Sequence, residues 1–426
     1  MPIIDVTRKK GMESSKLSHL FYDWNKENEG IYTPVGSVLL LDESLRDGLQ
    51  SSGVRNPSVK DKLKLIQLMC ELGIHYVDLG YPSSSKQALH DIIFLAKEIV
   101  RNKLNIKISC AARTHPHDIE AVIKVSQEAG VPVELLTFIG ASPIRSFIEK
   151  WDVEKLSTTT EEAIKLGIQA NLPVSFVTED TIRSRPETLE RLFKTAIQAG
   201  AQRLILCDTV GHAEPEGVTA LVSWTRKLIK SLGTRTELDW HGHNDRGLAV
   251  INTLYALRAG CNRLHGTALG IGERAGNVAM EQLLVNLKLK GLIQNDLSMI
   301  KKYCELASKA MKVAIPNNYP VVGRDVFSTA TGVHAAAILK AQQMNDTDLE
   351  DLIYSSVPAK MLARSQQIKI GSMSGKANVI AWLNAREIFP DPELVSEILM
   401  HAKTSSEVLK DKDILTLVKK FTSGAK

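Results

Sequence analysis

The sequence predicts an α/β protein built on a (β/α)8 TIM barrel and followed by a mainly helical C-terminal region. Three observations predict it. From about residue 37 to 290, short β-branched runs alternate with amphipathic stretches, the rhythm of parallel βα units. Eight such units fit into the roughly 250 residues that a closed barrel of this kind needs. Polar side chains suited to chemistry gather where the first, seventh and eighth strands end, the rim on which such barrels carry their active sites. A doubly wound open sheet is the rival layout.

Taken in order, the strands are expected to begin near Ser37, His75, Asn105, Val131, Leu172, Arg203, Thr236 and Asn262. Helical patterns fill 60–72, 87–101, 119–129, 160–170, 186–199, 215–232 and 247–259. Their apolar residues recur every three or four positions, giving each one face to lay against a sheet. Gly130, Gly200 and Gly260 close three of these helices as left-handed caps. Residues 1–36 form an N-terminal extension, where Leu17, Leu20, Phe21 and Trp24 at helical spacing predict a short amphipathic helix. The barrel domain is set at 37–290. Residues 291–426 lose the strand rhythm and read as helical subdomains, with breaks at 316–320 and 390–392.

A chain of 426 residues, 44% hydrophobic and 24% charged, has material for one large core plus an appendage. The longest apolar runs, such as 38–41 and 204–207, fall far short of the roughly 18 residues that span a bilayer. Residues 1–12 lack the apolar stretch of a secretory signal, so a cytoplasmic protein with no membrane partner is expected. Five cysteines, odd in number and without a CxxC pair, suit reduced core thiols. The net charge of +5 is spread out, and only 410–426 is lysine-rich, which argues against nucleic acid as the partner and leaves room for a polyanionic ligand.

After strand one stands Asp42-Glu-Ser-Leu-Arg46-Asp47-Gly48, at the end of strand seven His241-Gly-His243-Asn-Asp245, and after strand eight Gly270-Ile-Gly272-Glu-Arg-Ala-Gly276-Asn277. Closure brings the three segments together, because strand eight pairs with strand one. His241 and His243, two apart on an extended chain, point to one face, and Asp47 can complete a two-histidine, one-carboxylate metal site with positions left open for substrate. His115-Pro-His117 has the same spacing, but it reads as a loop entering a helix capped near His117 or Asp118. His265 lies within strand eight and is placed in the barrel interior rather than among the ligands. The glycine-rich loop is spaced GxGxxxG and lacks a following βαβ unit, so it is read as a tight turn carrying Asn277 inward rather than as an NAD fingerprint.

Together with Gln50, Gly80-Tyr-Pro82, Thr178-Glu179-Asp180 and Asp208-Thr-Val-Gly211, these segments resemble the DRE-TIM metallolyases. That family contains the 2-isopropylmalate, citramalate and homocitrate synthases and 3-hydroxy-3-methylglutaryl-CoA lyase. The resemblance covers the barrel and continues over 320–380. It implies a divalent metal ion (zinc, manganese, magnesium or cobalt) on Asp47, His241 and His243, with Asn277 as a further or water-linked ligand. It implies that Arg46 faces a 2-oxo acid, that Thr209 holds its carboxylate, that Glu179 is an active-site glutamate, and that His334 and Tyr354 reach over the site from a helical subdomain of the partner in a homodimer with exchanged C-terminal subdomains. The activity implied is condensation of acetyl-CoA with a 2-oxo acid, then thioester hydrolysis. The expected substrate is 3-methyl-2-oxobutanoate, on the route to leucine; pyruvate and 2-oxoglutarate are the alternatives, and Arg113 or Arg145 are the cations available to the latter. The lyase is disfavoured because its loop after strand eight carries a cysteine and this one has none; a non-catalytic barrel subunit is the remaining alternative. The sequence departs from the family at Glu43-Ser44, where two threonines are usual, at Leu49, which replaces a common glutamate, and at Gly371–Gly375, which is less basic. The chain ends at Lys426, which leads one to expect no C-terminal leucine-binding regulatory domain.

Overall fold

The computed structural model describes residues 20–26, 37–344 and 346–424. Eight strands are β1 (Leu39–Asp42), β2 (Tyr76–Asp78), β3 (Lys107–Arg113), β4 (Glu134–Gly140), β5 (Val174–Glu179), β6 (Arg203–Asp208), β7 (Glu237–Gly242) and β8 (Arg263–Gly266). Each is parallel to its neighbours, and the ring closes as β1 pairs with β8. Every start lies within a few residues of its predicted position. Between the strands run α1 (Val59–Glu71), α2 (Lys86–Arg101), α3 (Pro116–Ala129), α4 (Pro143–Glu149), α5 (Val153–Gln169), α6 (Pro186–Ala199), α7 (Pro215–Ser231) and α8 (Ala249–Ala259). Proline at the first turn pre-sets α3, α4, α6 and α7, where its missing N–H costs nothing. Gly130 and Gly200 end α3 and α6 in the left-handed conformation that their positions predicted.

The strands point alternate residues inward, so that β4 presents Glu134, Leu136 and Phe138, and β6 presents Arg203, Ile205 and Cys207. Leu41, Leu136, Ile205 and Cys207 pack with Tyr76 and Val177 as an apolar layer across the barrel. On the side of that layer where the strands begin, the interior is charged. Arg263 is fully buried and reaches Glu134 through Nη1 (2.6 Å) and Nη2 (2.7 Å), while its Nε donates to Asp239 (2.6 Å). Arg203 also donates to Asp239, at 2.7 Å.

Two compact units divide the chain, Asn25–Ala314 and a second formed by Ile315–Lys426 with Met1–Trp24. The boundary expected at residue 290 falls ahead of this division. After β8, α9 (Met280–Leu289) and α10 (Ile300–Met311) still belong to the barrel unit, since α10 packs on α1 and buries Tyr303, Cys304 and Ala307. The strand rhythm ends before the domain does because a closed ring needs no ninth strand. In the second unit lie α11 (Gly332–Gln343), α12 (Thr347–Leu352), α13 (Lys376–Asn384), α14 (Pro392–Thr404) and α15 (Asp411–Gly424), the mainly helical region expected. Its core gathers Ile370, Val379, Trp382, Leu383, Leu394, Ile398 and Ile414. Of the amphipathic helix expected near the N-terminus, Leu17 lies outside the described residues; Trp24–Lys26 form one 3-10 turn, with Leu20, Phe21 and Trp24 exposed.

Candidate active site

The rim is built as the closure argument requires. In the β1–β8 pair Leu41 faces His265 and Asp42 faces Gly266, and the segment 43–50 turns over this seam. His243 extends the ladder of β7 by donating its backbone N–H to Asp208, which keeps it on the same inward face as Asp239 and His241. Asp47 Oδ2 then lies 3.4 Å from His241 Nε2 and 3.7 Å from His243 Nε2, and the two ring nitrogens are 3.2 Å apart. All three side chains are buried.

Unmet polar valences test whether these residues suit a metal. Asp47 Oδ1, His243 Nδ1 and both amide atoms of Asn277 are buried without a hydrogen-bond partner. Such groups are uncommon in a folded protein, and here they cluster beside converging imidazoles. Burial, then the neighbouring His241 ring, pulls His243 down to about 4, so it keeps a free lone pair at neutral pH. Burial opposes the charge on Asp47, but Arg46 and then the two histidines outweigh it and hold the carboxyl below its usual range. The donor set fits a divalent ion. Asn277 stands beside His243, the two joined by an antiparallel bridge, at the end of the expected tight turn. A Cβ on Gly272 would lie 1.7 Å from Asn277 Oδ1, and one on Gly276, at φ +87°, would lie 1.9 Å from the Gly270 carbonyl. Only glycine lets the loop pass there.

These groups form one wall of a cavity of about 280 Å3 at the carboxyl ends of the strands. Arg46, Glu179 and Thr209 also line it, so with Asp47, His241 and His243 six of the predicted residues share one cavity, and a seventh, Asn277, is bridged to His243. Arg46 donates to Glu43 (2.6 Å), Asp47 (3.0 Å) and Asp78 (2.9 Å). Thr209 Oγ1 accepts the backbone N–H of Asp180, leaving its own proton free to donate. Ala111, Leu136, Phe138, Val177, Ile205 and Cys207 make the apolar part. A larger cavity of about 530 Å3 lies where β3 to β6 begin, on the face that in such barrels serves stability rather than chemistry.

His334 and Tyr354 belong to the second unit, where their rings stack at 3.9 Å and His334 Nδ1 is buried without a partner. That histidine pair is a helix entry as expected, but the cap is His115 rather than His117 or Asp118, which lie inside the first turn of α3; His117 approaches Asp118 at 3.5 Å, and Arg113 pairs with the same Asp118 at 2.7 Å. His265 is interior as expected, between Asp239 (3.1 Å) and Glu43 (3.2 Å). Burial would lower it, yet Glu43 and Asp239 carry it up to about 9. Two participants escaped the sequence reading. Glu43 stood out there only as a departure from the family, and Asp78 carried just one signal, an acid at the end of β2 that points at the rim.

A closed parallel barrel with two histidines and a carboxylate at its catalytic rim defines a class of metal-centred TIM-barrel enzymes. Within it, the chain belongs to the HMGL-like family, whose profile matches residues 37–308, from β1 into α10. The chain is 30% identical to a putative (R)-citramalate synthase of Archaeoglobus fulgidus, over 89% of this chain and 74% of that one. It is 30% identical to a homocitrate synthase of Methanopyrus kandleri, over 86% and 87%, and 29% identical to a 2-isopropylmalate synthase of Methylacidiphilum infernorum, over 89% and 74%. Among solved structures, the HMG-CoA lyase of Bacillus subtilis superposes with a TM-score of 0.55 at 23% identity, over 66% of this chain and 96% of that one, a likeness of fold. Among the described residues no helix is long and apolar enough to cross a membrane.

Proposed function

We propose that this protein is a metal-dependent enzyme that condenses acetyl-CoA with a 2-oxo acid, and that the acid is 3-methyl-2-oxobutanoate, which makes it a 2-isopropylmalate synthase of leucine biosynthesis. The observation that carries the reading is the buried Asp47, His241 and His243 set opening onto an apolar pocket. A divalent ion held there supplies Lewis-acid polarisation of the ketone. The Arg46 guanidinium, on the same wall, favours the negative oxygen that develops as the new carbon bond forms. The free Thr209 proton suits a substrate carboxylate. Glu179 stands at the cavity and is one candidate base for the acetyl methyl proton; the stacked His334 and Tyr354 are the other. Hydrolysis of the thioester then completes the reaction.

An apolar side chain suits the floor made by Leu136, Phe138, Val177 and Ile205. The distal carboxylate of 2-oxoglutarate does not, since neither Arg113 nor Arg145 lines the pocket. Beside the metal pocket, and sharing Phe138 and Glu179 with it, a second cavity lined by Arg113, His115, Arg145, Lys155 and Trp151 offers cations for the phosphates of coenzyme A. His334 and Tyr354 are assigned to the site of a second subunit in a homodimer with exchanged C-terminal subdomains.

The test is thiol release from acetyl-CoA by the metal-loaded protein with 3-methyl-2-oxobutanoate, pyruvate and 2-oxoglutarate, with product identification. An isopropyl group and a methyl group differ in such a pocket by about 1–3 kcal/mol, so kcat/KM should favour the branched acid by roughly 10- to 200-fold. A preference for pyruvate would make the protein a citramalate synthase. Thiol release with none of the three, in protein carrying one equivalent of metal, would remove the condensing activity altogether.

A further inference from the structure

We propose that Glu43 is a positioning residue which, backed by His265, fixes the ring of His241 so that its Nε2 lone pair is aimed at the metal position. The inference rests on His241 being a ligand. Glu43 is almost wholly buried, and each of its oxygens has a distinct task. Oε2 lies 2.6 Å from His241 Nδ1. Oε1 accepts from Arg46 Nη2 at 2.6 Å and meets His265 Nδ1 at 3.2 Å. His265 is held in turn from its far side, where Nε2 lies 3.1 Å from Asp239 Oδ2.

The direction of the first bond follows from its chemistry. An ionised carboxylate only accepts, so the proton of the His241–Glu43 bond sits on Nδ1. The lone pair is then on Nε2, which faces Asp47 and His243. His243 has no such support, because its Nδ1 is buried without a partner. The two imidazoles are therefore unequal: His241 has a fixed tautomer, a fixed ring angle and added basicity from an anion at its back, and His243 has none of these. Arg46 and His265 hold Glu43 from the other oxygen, so the carboxylate cannot swing away from the ring. Glu43, His241 and His265 also lie close enough together to be considered a cation site in their own right. The 2.6 Å contact between His241 Nδ1 and Glu43 Oε2 is instead a hydrogen bond and leaves no space for an ion between them.

Cobalt(II) binding to the full chain tests this by competition with a chromophoric chelator, with the visible bands of the bound ion as the second readout. Wild-type protein that takes up no cobalt would end the ligand assignment itself. Given one equivalent bound, Glu43→Gln should bind one equivalent roughly 10- to 100-fold more weakly, with shifted bands, the loss typical of removing a partner behind a metal-bound histidine. Glu43→Asp, which keeps the charge one methylene further away, should fall between. A purely structural role would lower the thermal midpoint of the metal-free protein while leaving affinity and bands unchanged, and that result overturns the proposal. So does a wild-type stoichiometry of two that drops to one in Glu43→Gln. Should Glu43→Gln fail to fold, an unchanged affinity in Glu43→Asp overturns it equally.

Discussion

Replacing Arg263 by methionine is expected to cost the barrel about 3–5 kcal/mol at pH 7, the range for removing one member of a buried charge pair. The structure shows where the loss falls. Asp239 would keep Arg203 at 2.7 Å and His265 at 3.1 Å, so its charge stays compensated. Glu134 would lose both guanidinium bonds and retain only the Ser175 hydroxyl. Tyr76 would lose the cation that stands 4.4 Å from its ring centroid, a smaller contribution. In the wild type, burial works against the Glu134 charge, but Arg263 outweighs it and holds the carboxyl below its usual range. A depressed pKa stabilises the fold above the unfolded value of about 4.3 and loses that contribution as pH falls. Without Arg263 the burial effect stands alone and the sign reverses, so the variant loses stability as pH rises through the same value. The difference between wild type and Arg263→Met should therefore grow between about pH 4 and pH 7. Urea unfolding followed by circular dichroism at both pH values measures it. The double variant Arg263→Met with Glu134→Leu should recover most of the loss, because an apolar pair of similar volume replaces a buried ion pair at little cost. A loss below about 1 kcal/mol, or one independent of pH, would refute the view that this pair holds the base of the barrel.

Asp47→Ala and His243→Ala should each lose the metal equivalent and all measurable turnover while keeping the circular dichroism of a folded barrel; either variant retaining one tight equivalent and full activity would remove these residues from the ligand set. Mixing an inactive His334→Ala chain with an inactive Glu179→Ala chain tests the exchange of subdomains. Heterodimers should regain activity at one rebuilt site, and if they form without regaining any, His334 does not act on the neighbouring subunit.

The convergence of the candidate metal ligands and the barrel were legible for the same reason, namely that both are periodic. Alternation along β7 puts Asp239, His241 and His243 on one face whatever surrounds them, and eight βα units leave β8 next to β1, so the position of Asp47 beside the histidines follows from counting. The turn to Asn277 was equally local, because Gly272 and Gly276 each mark a place where a Cβ would strike the loop itself. The helix starts at Pro186 and Pro215 announced themselves in the same way, while α3 begins at Pro116, three residues ahead of the expected 119.

Only the tertiary structure decided what lies behind and beneath the site. Glu43 meets His241 across 198 positions of sequence, and Arg263 meets Glu134 across 129; neither contact is implied by any local pattern. The same holds for the cations once considered for a distal carboxylate. Sequence offered Arg113 and Arg145 as cations for that carboxylate, whereas the fold pairs Arg113 with Asp118, sets Arg145 near Glu149, and places both in the neighbouring cavity rather than in the metal pocket. The domain edge moved from residue 290 to Ala314 for a related reason, since α10 belongs to the barrel through its packing on α1 rather than through any strand. Periodicity fixes which way a side chain points, and so the sequence by itself determined the fold and brought the candidate ligands Asp47, His241 and His243 to one rim. What a side chain finds when it gets there depends on partners from distant segments, whose register is set only when the ring closes.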